Sequence, residues 1–353
     1  MNAIDRLPRI SADAAAAIKL GAPMYGELGA SLYGSLCEQI PDDPELVAFV
    51  SQGLVPAPVL HLFTSVQYLL LRYRNDPLAQ YYATLTERPA PPELAFPHFA
   101  RFCKEHRGEI LELINTRTIQ TTDPDRCKMV MPLLSHIADR AGEPLNVIEI
   151  GCSAGVLLAF DKYAYDFKGR STLGPKNASL TLSGEVRGGP ALHIPKIGKR
   201  IGVDLCPIDA RLEDERDWIL SHLHPEALER RKNLAIALNE AARSEISFFK
   251  GDGMDLVPEL AAKTRDPLCI YHSACLVFWT PEAKAQLDSR LREVSRGREF
   301  FRVGLEPVNR GAKSGTWIPL VEISIAHYRD GAVDTEMVAQ STGSYNALVE
   351  WIE

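Results

Sequence analysis

The chain has 353 residues, of which 46% are hydrophobic and 24% charged, and a formal net charge of -7. That balance is ordinary for a folded globular protein long enough for two domains, and it gives no global attraction to phosphate backbones or anionic lipid. Nucleic acid and membrane are therefore not expected as partners.

The opening MNAIDRLPRISADAAAAIKLG has acids and a proline where a signal peptide needs an unbroken apolar core. No later apolar run reaches the roughly 18 residues of a membrane span. The seven cysteines form no C-x-x-C pair, and several sit in apolar runs as small hydrophobes. A reduced cytoplasm is the simplest setting, and no set of metal ligands stands out.

Residues 1–128 read as an all-helical domain with proline-rich joints at Ile40-Pro41-Asp42-Asp43-Pro44 and Arg88-Pro89-Ala90-Pro91-Pro92. VLHLFTSVQYLLLR, from Val59 to Arg72, is apolar around most of a helical circumference and predicts a buried helix. From His98 to Thr116, Phe99, Phe102, Cys103, Ile110, Leu113 and Ile114 recur at helical spacing and predict one amphipathic helix.

Residues 129–353 change to short β-branched runs alternating with helical segments, the pattern of a parallel sheet covered on both faces. Strands are predicted near 146–150, 200–204, 246–250, 268–272 and 300–305, and helices over 155–163, 226–243 and 281–296. Two more extended runs joined by Asp330-Gly331 predict a closing antiparallel hairpin. The expected fold is α/β: a Rossmann-like, doubly wound, mostly parallel seven-stranded sheet behind an N-terminal helical domain, with an insertion at 161–199.

The run NVIEIGCSAGVLL, Asn146 to Leu158, has two readings. Gly151-Cys152-Ser153-Ala154-Gly155 fits a G-x-S-x-G nucleophile elbow, yet its strand is the first in the chain and no oxyanion loop precedes it. Alternatively, Glu149, Gly151, Ser153 and Gly155 form the first loop of an adenosine-binding sheet. The second reading gains from Asp204 at the tip of the next strand, suited to ribose hydroxyls, and from Asp252-Gly253 after the third, suited to the adenine end. The fourth strand ends in His272 and Ser273, so four strand ends converge on one crevice. Each acid taken alone reads more plainly as a cap or a solvated turn. Glu149 and Asp204 are 55 residues apart, against about 20 in a dinucleotide fingerprint. The excess is the insertion.

The order EIGCSAG, an acid after strand two, GD after strand three and a terminal hairpin resembles the class I S-adenosylmethionine-dependent methyltransferases. FCKEHR, TRTIQTTDPDRC, IEIGCSAGVLLAFDKYAYDF, SGEVRG, VDLCPIDA and YHSACLVF resemble, over about residues 30 to 310, a bacterial family of uncharacterised proteins described as a domain of unknown function. The first resemblance implies S-adenosylmethionine as cofactor. Glu149, Gly151 and Gly155 would then shape its methionine and ribose side, Asp204 would hold the ribose and Asp252 the adenine. Ser153 or Ala154 stands where the pattern has a third glycine, and YHSA replaces the N-P-P-Y motif of amino-nitrogen methylation.

Methyl transfer needs alignment, plus a base when the acceptor carries a proton. His272 is the leading base, against a structural histidine. Glu185 and Arg187 in the insertion are expected beside the crevice as catalytic and acceptor-binding groups, against a plain surface ion pair. Asp161, Ser273 and Arg126 complete the substrate side, although Asp123-Pro124 next to Arg126 also reads as a helix start. The expected function is methylation of a small molecule. The second reading is an adenosine-ligand or partner-binding protein without catalysis, and the third is the serine hydrolase.

Overall fold

The computed structural model describes residues 14–51, 58–308, 320–342 and 348–352. The chain begins with helices α1 (Ala14–Glu27), α2 (Ser31–Gln39), α3 (Pro44–Ser51), α4 (Pro58–Leu70), α5 (Phe96–Glu105) and α6 (Arg107–Thr116). Then α7 (Cys127–Ala141) leads into the sheet, and α8 (Glu213–Leu220), α9 (Leu228–Arg243), α10 (Gly253–Lys263) and α11 (Pro281–Val294) fall between its later strands. Two compact units result. One holds the described residues up to Thr121 together with Leu212–Ala235, and the other holds Thr122–Arg211 and the chain from Ile236 on. The helical unit thus takes in a segment that a linear division at residue 128 does not.

In the helical unit, α4 is buried on every side from His61 to Leu70. Its Phe63 stacks on Tyr33 at 4.3 Å, and its Gln67 amide donates to the carbonyls of Ser221 (3.1 Å) and Leu223 (2.7 Å). The single helix expected over His98 to Thr116 is broken at His106, whose backbone leaves the helical region. The His106 ring packs on Phe102 and Tyr73, with centroids 4.3 and 4.2 Å away, and its Nδ1 meets Glu109 at 2.9 Å. Side-chain packing there overrides a continuous apolar period.

The other unit is built on a mixed, largely parallel sheet of ten strands, not seven: β1 (Leu145–Ile150), β2 (Ala164–Phe167), β3 (Thr181–Arg187), β4 (Ile197–Asp204), β5 (Ile246–Lys250), β6 (Leu268–Ser273), β7 (Glu299–Val308), β8 (Leu320–Arg329), β9 (Ala332–Thr342) and β10 (Leu348–Trp351). Their order is β2-β3-β10-β9-β8-β7-β6-β1-β4-β5. Strands β5, β4, β1, β6 and β7 are mutually parallel, so their carboxyl ends share one edge. From β7 the sheet turns antiparallel through β8, β9 and β10. Asp330 and Gly331 make the expected β8–β9 turn with φ of 51° and 79°, a pair of left-handed residues matching the twist of a tight hairpin.

Alternation along the strands sorts side chains to two faces. Ile148, Ile150, Ile201, Val203 and Ile270 pack with Leu287 and Leu291 of α11 (Pro281–Val294) and Val257 of α10 (Gly253–Lys263). Glu149 and Tyr271 point to the opposite face, near Cys127 at the start of α7. The helix expected at 155–163 is a 3-10 turn, Leu157–Lys162. Tyr163 and Tyr165, fully buried, donate their hydroxyls to the carbonyls of Val156 (2.9 Å) and Phe160 (2.7 Å), which favours the tight turn over a continuing helix.

Candidate functional site

The loop after β1 is left-handed at three places: Gly151 (φ 75°), Ser153 (φ 49°) and Gly155 (φ 73°). The two glycines are also required by packing. A Cβ on Gly151 would stand 2.5 Å from Cys275 Sγ, and one on Gly155 would stand 2.9 Å from Phe248 Cζ and Ile246 Cδ1. The loop amides are bound within the chain: Gly151 N–H to Val203 O at 2.8 Å, Ser153 N–H to Asp204 Oδ2 at 2.9 Å, and Gly155 N–H to Cys152 O at 2.8 Å.

Asp204 ends β4 and faces this loop, its second oxygen accepting from Cys206 N–H at 2.9 Å. Asp252 caps α10 by accepting from Met254 N–H at 2.9 Å. Gly253 follows it in close contact with the strand before the loop, since a Cβ there would stand 2.9 Å from Ile150 Cγ2. Glu149 is 2% exposed and accepts from the Tyr271 hydroxyl at 3.1 Å. Burial holds its pKa well above the ordinary carboxyl range despite Tyr271 and the Arg126 guanidinium. Arg126 donates to the carbonyl of Ser273 at 3.1 Å. Arg126, Ser273, Glu149, Asp204 and the glycine loop therefore gather at the carboxyl edge of β1, β4 and β6.

His272 stands at the same edge but on the other face, one strand from Ile150 in the parallel register. Its Nδ1 lies 2.6 Å from Oε1 of Glu306. Glu306 is further fixed by the amides of Cys275 (3.3 Å), Leu276 (3.1 Å) and Val277 (2.8 Å). Burial lowers the His272 pKa more than Glu306 raises it. For Glu306, burial is outweighed by His272 and the turn amides, and the carboxyl stays below its usual range. Near pH 7 the pair is thus a neutral imidazole donating Nδ1–H to a carboxylate, which leaves Nε2 as an acceptor over Gly304 of β7. Glu306 was not among the residues singled out in the sequence, although an acid ending a strand in LEP is the same signal that marks Asp204.

Two expectations are corrected. Glu185 and Arg187 lie on β3, which pairs with β10. Between β3 and β6 there are five strand steps, about 24 Å along the sheet at ~4.8 Å per step. The two side chains bind each other at 2.7 Å with Arg187 half exposed, a surface pair and not part of the crevice. Asp161 is likewise structural: it meets Arg200 at 2.9 Å and Lys162 at 3.0 Å, toward the amino-terminal half of β4. The insertion follows β3 to the far end of the sheet because Leu180, Leu182 and Val186 are buried there and Gly189 fits against the Trp351 ring.

A separate open concavity of about 710 Å³ lies at the amino ends of β4 and β5, lined by Lys199, Arg243 and Lys263 among others. It is on the opposite edge from the residues above. Among the described residues no helix is long and apolar enough to cross a membrane.

Over residues 16–351 the chain matches the family described as "Uncharacterized protein conserved in bacteria (DUF2332)". The chain belongs to this family. The match covers both units. No curated protein matches the chain.

Proposed function

We propose that this family member is an S-adenosylmethionine-dependent methyltransferase acting on a small molecule. The observation that carries the reading is Asp204, fixed at the tip of β4 by Ser153 N–H and Cys206 N–H beside a left-handed glycine loop at the edge where open α/β sheets bind ligands. The residues fit the adenosyl end of the cofactor: Asp204 would accept ribose hydroxyls, Asp252 and Gly253 would border the adenine, and buried Glu149 with Gly151, Ser153 and Gly155 would wall the crevice. When bound, the cofactor supplies an electrophilic methyl group on a sulfonium. His272 holds its lone pair at Nε2, with Glu306 stabilising the imidazolium that forms when a proton arrives. Arg126 and Ser273 border the acceptor side.

A second reading, an adenosine-ligand or partner-binding protein without catalysis, is favoured by one observation. The loop amides and the space over Gly151 and Gly155 are taken up by the chain's own atoms. Calorimetric titration with S-adenosylhomocysteine tests the first reading and the adenosine-ligand form of the second, since both require a complex. Incubation with labelled S-adenosylmethionine and a metabolite extract separates them. Loss of an esterase activity in Ser153→Ala, with no adenosyl ligand bound, would revive the hydrolase reading instead.

A further inference from the structure

Gly304 of β7 lies between His272 of β6 and Ser324 of β8 in the strand pairing, on the face covered by α11. A Cβ at Gly304 would stand 3.1 Å from His272 Cε1, 3.4 Å from His272 Nε2 and 3.1 Å from Ser324 Oγ. Two polar atoms therefore converge on space that only a glycine leaves open. Among the described residues neither Nε2 nor Ser324 Oγ has a hydrogen-bond partner; His272 is 5% exposed and Ser324 half-buried. Polar atoms on a packed sheet face are ordinarily partnered, and here both partners of a single ligand atom are present.

Their chemistry specifies that atom. With Nδ1–H given to Glu306, Nε2 can only accept, while the Ser324 hydroxyl can donate. A ligand hydroxyl answers both: it donates its proton to Nε2 and accepts from Ser324. The charged groups facing the imidazole are Glu306, Arg302 from β7 and Lys284 from α11, and Arg302 is paired with Asp288 at 3.3 Å.

We propose that His272 Nε2 and Ser324 Oγ form a hydroxyl-binding, proton-accepting subsite over Gly304 that takes a small molecule through an alcohol or phenol O–H. In the reaction proposed above, on which this assignment rests for the group transferred but not for the slot, the acceptor oxygen loses its proton to Nε2 and forms the new bond to the methyl carbon. The carbon–sulfur pair returns to sulfur, and the imidazolium later passes its proton to solvent. Ser324 positions the oxygen, and Gly304 sets the room for it.

The test is carbethoxylation of the full chain by diethyl pyrocarbonate, which reacts with accessible neutral imidazole nitrogens, with each histidine followed by peptide mass spectrometry. His272 is expected to react about tenfold faster or more than His61 and His222, whose ring nitrogens are buried. Phenol should protect it and toluene should not. Gly304→Ala should suppress the reaction by filling the slot. Should that variant fail to fold, Ser324→Ala serves: His272 still reacts, but phenol no longer protects it. Reaction of His272 as slow as that of His61, or equal protection by phenol and toluene, would overturn the proposal. S-adenosylhomocysteine titration is independent of these outcomes. A failed titration with the labelling pattern intact removes the cofactor reading alone, and the reverse result removes the subsite alone.

Discussion

Asp204 Oδ2 accepts the amide proton of Ser153 at 2.9 Å, tying the tip of β4 to the glycine loop that follows β1. One carboxylate thus shapes the loop and faces the crevice. Asp204→Ala removes the carboxylate that the amides of Ser153 and Cys206 donate to and should destabilise the protein by ~1–3 kcal/mol. Asp204→Asn keeps an acceptor for one amide and should cost less. Urea unfolding of the three proteins checks the order, and equal stabilities would contradict this role for the carboxylate.

Gly151 carries two independent constraints, a φ of 75° and the Cys275 thiol on its open side. Gly151→Ala should cost more than the ~1–2 kcal/mol of left-handed strain alone. Combining it with Cys275→Gly should recover the steric part and leave the strain. A double-mutant cycle measures the coupling, and additive losses would show that the thiol is not the obstacle.

Much of this edge was legible in the sequence, because β1, β4, β5, β6 and β7 each carry a run of β-branched or aromatic residues, polar residues close β4, β5 and β6 at Asp204, Lys250 and Ser273, and Asp330-Gly331 has a strict turn requirement. What escaped was non-local. Strands β2 and β10 have only four residues each, too short to show a period, and β3 pairs with β10 across more than 150 residues of chain. Glu185 and Arg187 were placed at the crevice because their loop is tethered there at both ends, yet the burial of Leu182 and Val186 carries β3 to the far end of the sheet. The role of Glu306 depends on three amides of the turn after β6, which no spacing in the sequence displays.

Replacing Glu306 tests the dyad. Glu306→Gln removes the negative charge while retaining a carbonyl for the turn amides, so the His272 pKa should fall further below its already lowered position. Nuclear magnetic resonance titration of the His272 ring follows this directly. An unchanged midpoint would mean that the carboxylate does not support the imidazole.

Acid should destabilise the helical unit through His61 and His222. Burial lowers the His61 pKa from 6.5 to about 4, and the Leu113 carbonyl beside it offsets this only in part, standing outside hydrogen-bond geometry. Burial and the neighbouring His61 lower His222 to about 3. Because both folded values lie below the unfolded one, the unfolded chain takes protons first. The stability is fully present above about pH 6.5 and is lost as pH falls toward 4 and then 3, with about 3 kcal/mol at stake for His61. Hydrogen exchange of α4 amides at about pH 7.5 and about pH 5 should show the loss, and His61→Phe with His222→Leu should flatten it. An equal slope in that variant would contradict the assignment.

The central claim is an adenosyl-cofactor crevice at the carboxyl edge of β1 and β4, and calorimetric titration of the full chain with S-adenosylhomocysteine tests it most directly. A saturable complex is expected, weakened in Asp204→Ala by ~1.5–3 kcal/mol as the charge-assisted ribose hydrogen bonds are lost, and retained in Glu185→Ala, which lies outside the crevice. No heat and no thermal shift at millimolar ligand would contradict it.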